Sequence, residues 1–176
     1  MAYHNIRACN ISRYSCLSHN HLLGAMANQN IELREVTKEN WLKCIELELD
    51  SSQSGYVSTN LFSLAQSKFE PCRVPCAIYN SENEMVGFTM YNNGPLDDGT
   101  YRISRLMIDK SYQGFGYGRL AALAVIEQMK RIKDCDEILL DYAPDNNAAA
   151  NLWHSLGFEV SGREGTNILA KLKTNR

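Results

Sequence analysis

Residues 105–131, RLMIDKSYQGFGYGRLAALAVIEQMKR, constrain this chain more than any other stretch. The apolar run up to Asp109 reads as the end of a strand. Gly114, Gly116 and Gly118 follow at alternate positions, and a long amphipathic helix is predicted over 119–133. Leu120, Leu123, Ala124, Val125, Met129 and Ile132 give that helix a wide apolar face, and Lys130, Arg131 and Lys133 suit its negative dipole end. Glycine removes the Cβ that would obstruct the backbone and tolerates positive φ. A helix start leaves N–H groups unpaired at the positive end of its dipole. Strand, glycine loop and helix start, in that order, make a cradle for an anion, above all a phosphate.

The remaining elements are read from periodicity and turn residues. Residues 31–36 alternate as IELREV and predict a strand. Thr37 then caps a helix carrying Trp41, Cys44, Ile45, Leu47 and Leu49, which residues 51–55 break. A second helix covers 60–68. Strands are expected at 74–79 and 85–91, joined by the turn 81–84, and at 101–109 after a long polar loop. The last of these is apolar on both faces in its second half, which predicts a central position. Another strand covers 137–142. Asp145-Asn146-Asn147 starts a helix that Gly157 closes, and a final hairpin at 158–160 and 167–172 turns through Gly162-Arg163-Glu164-Gly165. The order is β, α, α, β, β, β, loop, α, β, α, β, β. It predicts a single α/β domain with a mixed, mostly antiparallel sheet and one central βαβ crossover.

Length and composition agree with one soluble domain. The chain has 176 residues, 44% apolar and 22% charged, with a net charge of −2. That balance leaves no nucleic-acid footprint, and no apolar run is long enough for a membrane span. Residues 1–25 contain Arg7 and Arg13 but no acidic residue, and hold His4, His19 and His21. They read as a flexible leader, with the functional domain beginning near Met26. Without the leader the balance is 16 basic against 20 acidic residues, a net −4 that favours cationic partners. The six cysteines form no tight framework and read as reduced thiols of a cytoplasmic protein. Cys72 and Cys76 lack a second ligand pair, so no metal site is expected.

A dinucleotide fold is disfavoured because the loop follows the fourth strand instead of opening the first βαβ unit. A P-loop is excluded because Gly118-Arg119-Leu120 stands where its Gly-Lys-Ser/Thr would be. QGFGYG, residues 113–118, instead resembles the acetyl-CoA loop of the GNAT superfamily of N-acetyltransferases. NNAAANLWHSLGF, residues 146–158, resembles that superfamily's Asn-to-Gly-Phe helix, with Trp153 where tyrosine is usual. The likeness spans residues 31–172. Within the superfamily, RLMIDKSYQGFGYG and IELREVTKEN are most similar to bacterial spermine/spermidine acetyltransferases.

The resemblance implies a GNAT-like acyl-CoA N-acyltransferase fold and acetyl transfer from acetyl-CoA to a primary amine. The best guess is a polyamine or other small cationic amine, attacking directly in a ternary complex. A protein or peptide acceptor, or a degenerate acetyl-CoA sensor, are the alternatives. Cofactor contacts are expected from Leu106, Met107, Ile108, Gln113, Gly114, Phe115, Gly116, Tyr117, Gly118, Arg119, Asn146 and Trp153. The amide of Met107 or Ile108 is expected to meet the oxyanion. Relatives handle protons with a carboxylate before the fourth-strand arginine and with a tyrosine on the later helix. Here those positions are Ser104 and Trp153. Tyr142, Tyr112 and His154 are the replacement acids considered, Tyr142 first, and Glu35 or Asp141 could take the amine proton through water. Glu46, Glu48, Asp50, Asp97 and Asp98 are expected to line an acidic acceptor cleft. Exposed sheet edges are compatible with a homodimer.

Overall fold

In a computed structural model, residues 30–174 are described. The leader, its histidines and the boundary near Met26 lie outside them. Strand β1 (Ile31–Glu35) is followed by helices α1 (Trp41–Ile45) and α2 (Asn60–Phe69). Strands β2 (Arg73–Asn80), β3 (Met85–Asn92) and β4 (Ile103–Ile108) form a meander. Helix α3 (Tyr117–Lys130) crosses to β5 (Glu137–Tyr142). Helix α4 (Asn147–Ser155) and the hairpin β6 (Glu159–Glu164) and β7 (Asn167–Lys173) complete the chain. The order of elements is the one expected from the sequence.

The sheet differs in a way that matters for function. It is two antiparallel sheets, β1-β2-β3-β4 and β5-β7-β6. Between β4 and β5 there is only a parallel bridge, Arg102 to Leu139, with Leu139 N–H donating to Tyr101 O at 2.8 Å. The crossover therefore joins two sheets that part company beyond that bridge. Strand β4, expected in the centre, is the edge of its sheet. Its apolar residues are covered by helices on both faces, which mimics the pattern of a central strand.

Three cores hold these layers. Cys44, Leu47, Leu49 and Leu64 pack on Ala77, Phe88, Met90 and Met107 on one face. Ala121 meets Ile78, Val86 and Ile108, while Val125, Ile126 and Met129 join Ile103, Ile138, Leu140 and Trp153. The buried seam of α3 is thus Ala121, Ala122, Val125, Ile126 and Met129, whereas Leu123 is 40% exposed. The expected apolar face was rotated. Two alanines, weak on a hydrophobicity count, let the helix axis approach the sheet.

Helix α1 is shorter than predicted, and its cap is Asn40, not Thr37. Ile45, Leu47 and Leu49 are spaced by two and alternate with exposed acidic residues. That is extended-chain spacing, and residues 46–50 run along the end of β4. There Glu48 N–H donates to Asp109 Oδ2 at 2.9 Å, and Lys110 N–H to Glu48 O at 2.8 Å. The last hairpin also differs: β6 continues to Glu164, and the turn is at 165–166.

One glycine in the sheet is required by packing. A Cβ at Gly87 would fall inside contact distance of the Met107 carbonyl oxygen and 2.9 Å from Ile108 Cδ1. Backbone cannot move aside as a flexible side chain can. Gly87→Ala is expected to cost about 1–3 kcal/mol of stability, read as a lower urea midpoint at unchanged slope.

Candidate active site

The site is built on the edge of β4 that β5 leaves uncovered. Successive residues of a strand turn their peptide groups to opposite edges. Thr89 Oγ1 donates to Arg105 O at 2.7 Å, and Asp109 N–H donates to Val86 O at 2.9 Å, so 105, 107 and 109 face β3. Ile108 O accepts from Gln113 Nε2 at 2.9 Å on the other side. Leu106 and Ile108 therefore present their N–H groups to the open edge. Of the two amides expected at the oxyanion, Met107 and Ile108, that of Met107 turns toward β3 and that of Ile108 lies on the open edge. Alternation along the strand separates the two.

A bulge reinforces the arrangement. Met90 pairs with Arg105 and Tyr91 with Ile103, so Ser104 is an extra residue. With it, Ile103 and Met107 pack into different cores, although an even spacing would put them on one face.

The open edge borders a cavity of about 240 Å³. Of the expected cofactor residues, Leu106, Met107, Ile108, Gln113, Gly114, Gly116, Tyr117, Gly118, Asn146 and Trp153 line it. Phe115 and Arg119 do not. Phe115 is 47% exposed, and Arg119 Nη1 donates to Ser155 Oγ at 2.7 Å. Gly114 and Gly116 hold φ of 81° and 85°, and Gly116 is the N-cap of α3. Nothing lies within 4 Å of where a Cβ on Gly114 would be, so the loop leaves room for a group to settle on its amides.

Two expected ligands already have protein partners. Gln113 Nε2 donates to Gln53 Oε1 at 2.8 Å as well as to Ile108 O, tying the glycine loop to residues 51–53. Asn146 Oδ1 accepts from Ala149 N–H at 3.0 Å and caps α4, leaving its Nδ2 for a ligand.

A second cavity of about 300 Å³ adjoins the first. Tyr56, Val57, Leu106, Asn146, Ala149 and Trp153 line both, so these residues mark the junction. The second cavity passes into a third, of about 580 Å³, through shared Ile103, Ser104, Arg105 and Asp141. The third also holds Glu70, Arg73, Asp97, Asp98, Arg102 and Glu164. Arg73 Nε meets Glu70 Oε2 at 2.5 Å, and this bond holds the Glu70 carboxyl below its usual range. Asp98 is lowered chiefly by the Thr100 hydroxyl, and Arg102 pairs with both Asp98 and Glu164.

Four of the five expected acceptor carboxylates divide between two cavities. Asp97 and Asp98 line the third, while Glu48 and Asp50 line a fourth of about 410 Å³, which shares Leu49, Val57 and Met107 with the first and Gly55, Val57 and Ser58 with the second. Glu46 lines none of these. Glu48 is paired with Lys110 at 2.5 Å, and Asp50 accepts from Ser52 N–H at 2.9 Å.

The proton-handling candidates also separate. Ser104 Oγ accepts from Arg73 Nη1 at 2.5 Å. Trp153 is buried with its ring edge-to-face on Phe158, centroids 5.2 Å apart. His154 is exposed and borders none of these cavities. Tyr112 lines only the first cavity and Tyr142 only the second. Tyr56 lines both, and no pattern in the sequence singled it out. Burial raises its phenol pKa, and the Asp145 carboxylate beside it raises it further.

The sequence profile of the GNAT acetyltransferase family matches residues 39–158, more than half of the chain. The chain belongs to that family. It is an acetyltransferase, and acetyl-CoA is its cosubstrate. Among curated proteins it is 28% identical over 150 residues to a probable spermine N(1)-acetyltransferase of Bacillus subtilis subspecies natto, covering 81% of this chain and 98% of that one. Among solved structures it resembles the PaiA N-acetyltransferase of Thermoplasma acidophilum in complex with coenzyme A. The TM-score is 0.62 at 17% identity, over 82% of this chain and 99% of the other. Spermidine N-acetyltransferase of Vibrio cholerae, solved with CoA and spermine, has a TM-score of 0.64 at 14% identity over 81% and 93%. These structural likenesses carry the fold.

Proposed function

We propose that this GNAT acetyltransferase moves acetyl from acetyl-CoA to the primary amine of a small cationic acceptor, polyamines first, by direct attack in a ternary complex. The observation that carries the reading is the continuity of cavities across the open edge of β4. One lies against the glycine loop, and the others run past Leu106 toward Asp97, Asp98 and Asp141. The names of the curated relative and of the Vibrio structure support the polyamine class.

On this reading the pyrophosphate rests on the amides of Gly114, Gly116, Gly118 and Arg119 at the start of α3. Main-chain groups of Leu106 and Ile108 pair with the pantetheine arm as an added strand would. Its direction, away from the glycine loop, brings the thioester toward Leu106, whose outward N–H meets the developing oxyanion. Tyr56 at the junction protonates the departing thiolate, and Asp145 connects it to solvent.

A panel of spermidine, spermine, putrescine and an acetylatable peptide, followed by CoA release, tests the acceptor class. Saturable turnover of the polyamines with little peptide turnover is expected. Turnover of the peptide alone would sink the small-amine reading.

A further inference from the structure

The acceptor-side cavities contain a cation that forms no ion pair among the described residues. Arg105 lines both the second and third cavities. Its Nη1 donates to Ser104 O at 2.6 Å, but its Nε is buried without a hydrogen-bond partner. Among the described residues no carboxylate forms an ion pair with it. Glu70 is engaged by Arg73, and Asp98 and Glu164 by Arg102. The neighbouring Arg73 guanidinium adds like charge, while Asp141 and Glu70 act on Arg105 only across space. Burial and Arg73 push its pKa down, but an arginine stays protonated at neutral pH.

A partly buried guanidinium without a counter-ion is costly, and with Nε itself closed to solvent the terminal nitrogens of this cavity-lining residue are what it offers a ligand. The guanidinium fork matches a carboxylate in both geometry and charge. Two carboxylates lining the same cavities form no ion pair among the described residues. Asp97 is one, and Asp141, which accepts from the neutral Asn167 amide at 2.7 Å, feels Arg102 and Arg105 only across space.

We propose that Arg105 is a carboxylate-binding subsite and that the acceptor is an amine that also bears an acid group, a diamino acid in preference to a plain diamine. The inference rests on the amine-acetylation reading above. The acceptor carboxylate sits on Arg105, one amine lies at the junction beside Leu106, and the other faces Asp97 and Asp141. The acceptor nitrogen forms its bond to the acetyl carbon as the carbon–sulfur bond breaks, and it loses two protons, one to solvent before attack and one as the amide forms. The second balances the proton that Tyr56 gives the departing thiolate, so CoA leaves as the thiol.

Matched pairs isolate the carboxylate: lysine against cadaverine, and ornithine against putrescine. With the full chain and saturating acetyl-CoA, kcat/KM is expected to favour the acid-bearing member of each pair at least tenfold. Arg105→Met should lower that ratio by about thirtyfold, the factor one charge-assisted pair carries. Arg105→Lys, which keeps the charge without the fork, should fall between. Wild-type ratios at or below one overturn the subsite by themselves, whether or not the variants fold. If diamines and spermidine are still turned over in that case, the amine-acetylation reading stands. A wild-type preference for the acids that survives unchanged in Arg105→Met also overturns it, by moving the recognition elsewhere. Turnover of no amine at all overturns both readings together.

Discussion

Gly116→Val is expected to raise the KM for acetyl-CoA by at least a hundredfold, with the amine KM changed far less. Gly116 caps α3 with φ at 85°, a region that β-branched residues avoid. The substitution strains the turn by about 1–2 kcal/mol. It also puts a branched side chain where an anion must approach the amides, so two penalties act at one position. Strain alone is separable. Gly99→Val carries a similar left-handed backbone, φ 79°, in the loop before β4, away from the glycine cradle. It should lose stability comparable to Gly116→Val and keep its KM for acetyl-CoA. Gly118 supplies the opposite comparison. Its φ is not positive, and a Cβ there would make ordinary contact, 3.8 Å from Ile108 Cγ1. Gly118→Ala should therefore fold normally, and any rise in KM reports how closely the ligand approaches. Equal KM values in Gly116→Val and wild type would remove the pyrophosphate from this loop.

The glycine loop and its helix were legible because their signals are local. A run of glycines, a helix start and an Asn-led helix each occupy a dozen residues or so, and each has a chemical reason that does not depend on distant partners. The rest of the site depends on pairing, which a single sequence does not display. Which N–H groups face the cofactor follows from how β4 registers on β3, and the bulge at Ser104 exists only relative to Tyr91 and Met90. The parting of β4 from β5 is equally invisible, since both strands are apolar enough to be neighbours throughout. Helix α1 was overread because Ile45, Leu47 and Leu49 continue an apolar segment whose spacing is strand-like. Tyr56 was missed because its loop is placed by contacts far away in sequence, including the Gln53–Gln113 amide pair.

Tyr56→Phe is expected to lower kcat by about a hundredfold, within the range for loss of one general acid, while Tyr142→Phe and Tyr112→Phe change it less than about threefold. The distinction follows from position. A thioester reaching from the first cavity to the acceptor must pass the junction, and Tyr56 is the tyrosine that lines both sides of it. Its raised pKa, from burial first and the Asp145 carboxylate second, keeps the hydroxyl protonated throughout the neutral range. The acceptor imposes its own requirement. An alkylammonium with a pKa near ~10 attacks only after losing its proton, and the position that holds a carboxylate in relatives is here Ser104, already accepting from Arg73. With no base at that position, kcat/KM for the amine should climb about tenfold per pH unit from 7 to 9, following the free-base fraction. Tyr56 does not bend this rise downward, because a phenol raised above its ordinary ~10 stays in its acid form below that pH. A profile that levels off near neutrality would instead identify a carboxylate base, with Asp141 the first to replace. A Tyr56→Phe enzyme with wild-type kcat and a crippled Tyr142→Phe enzyme would move the acid from the junction to the acceptor side.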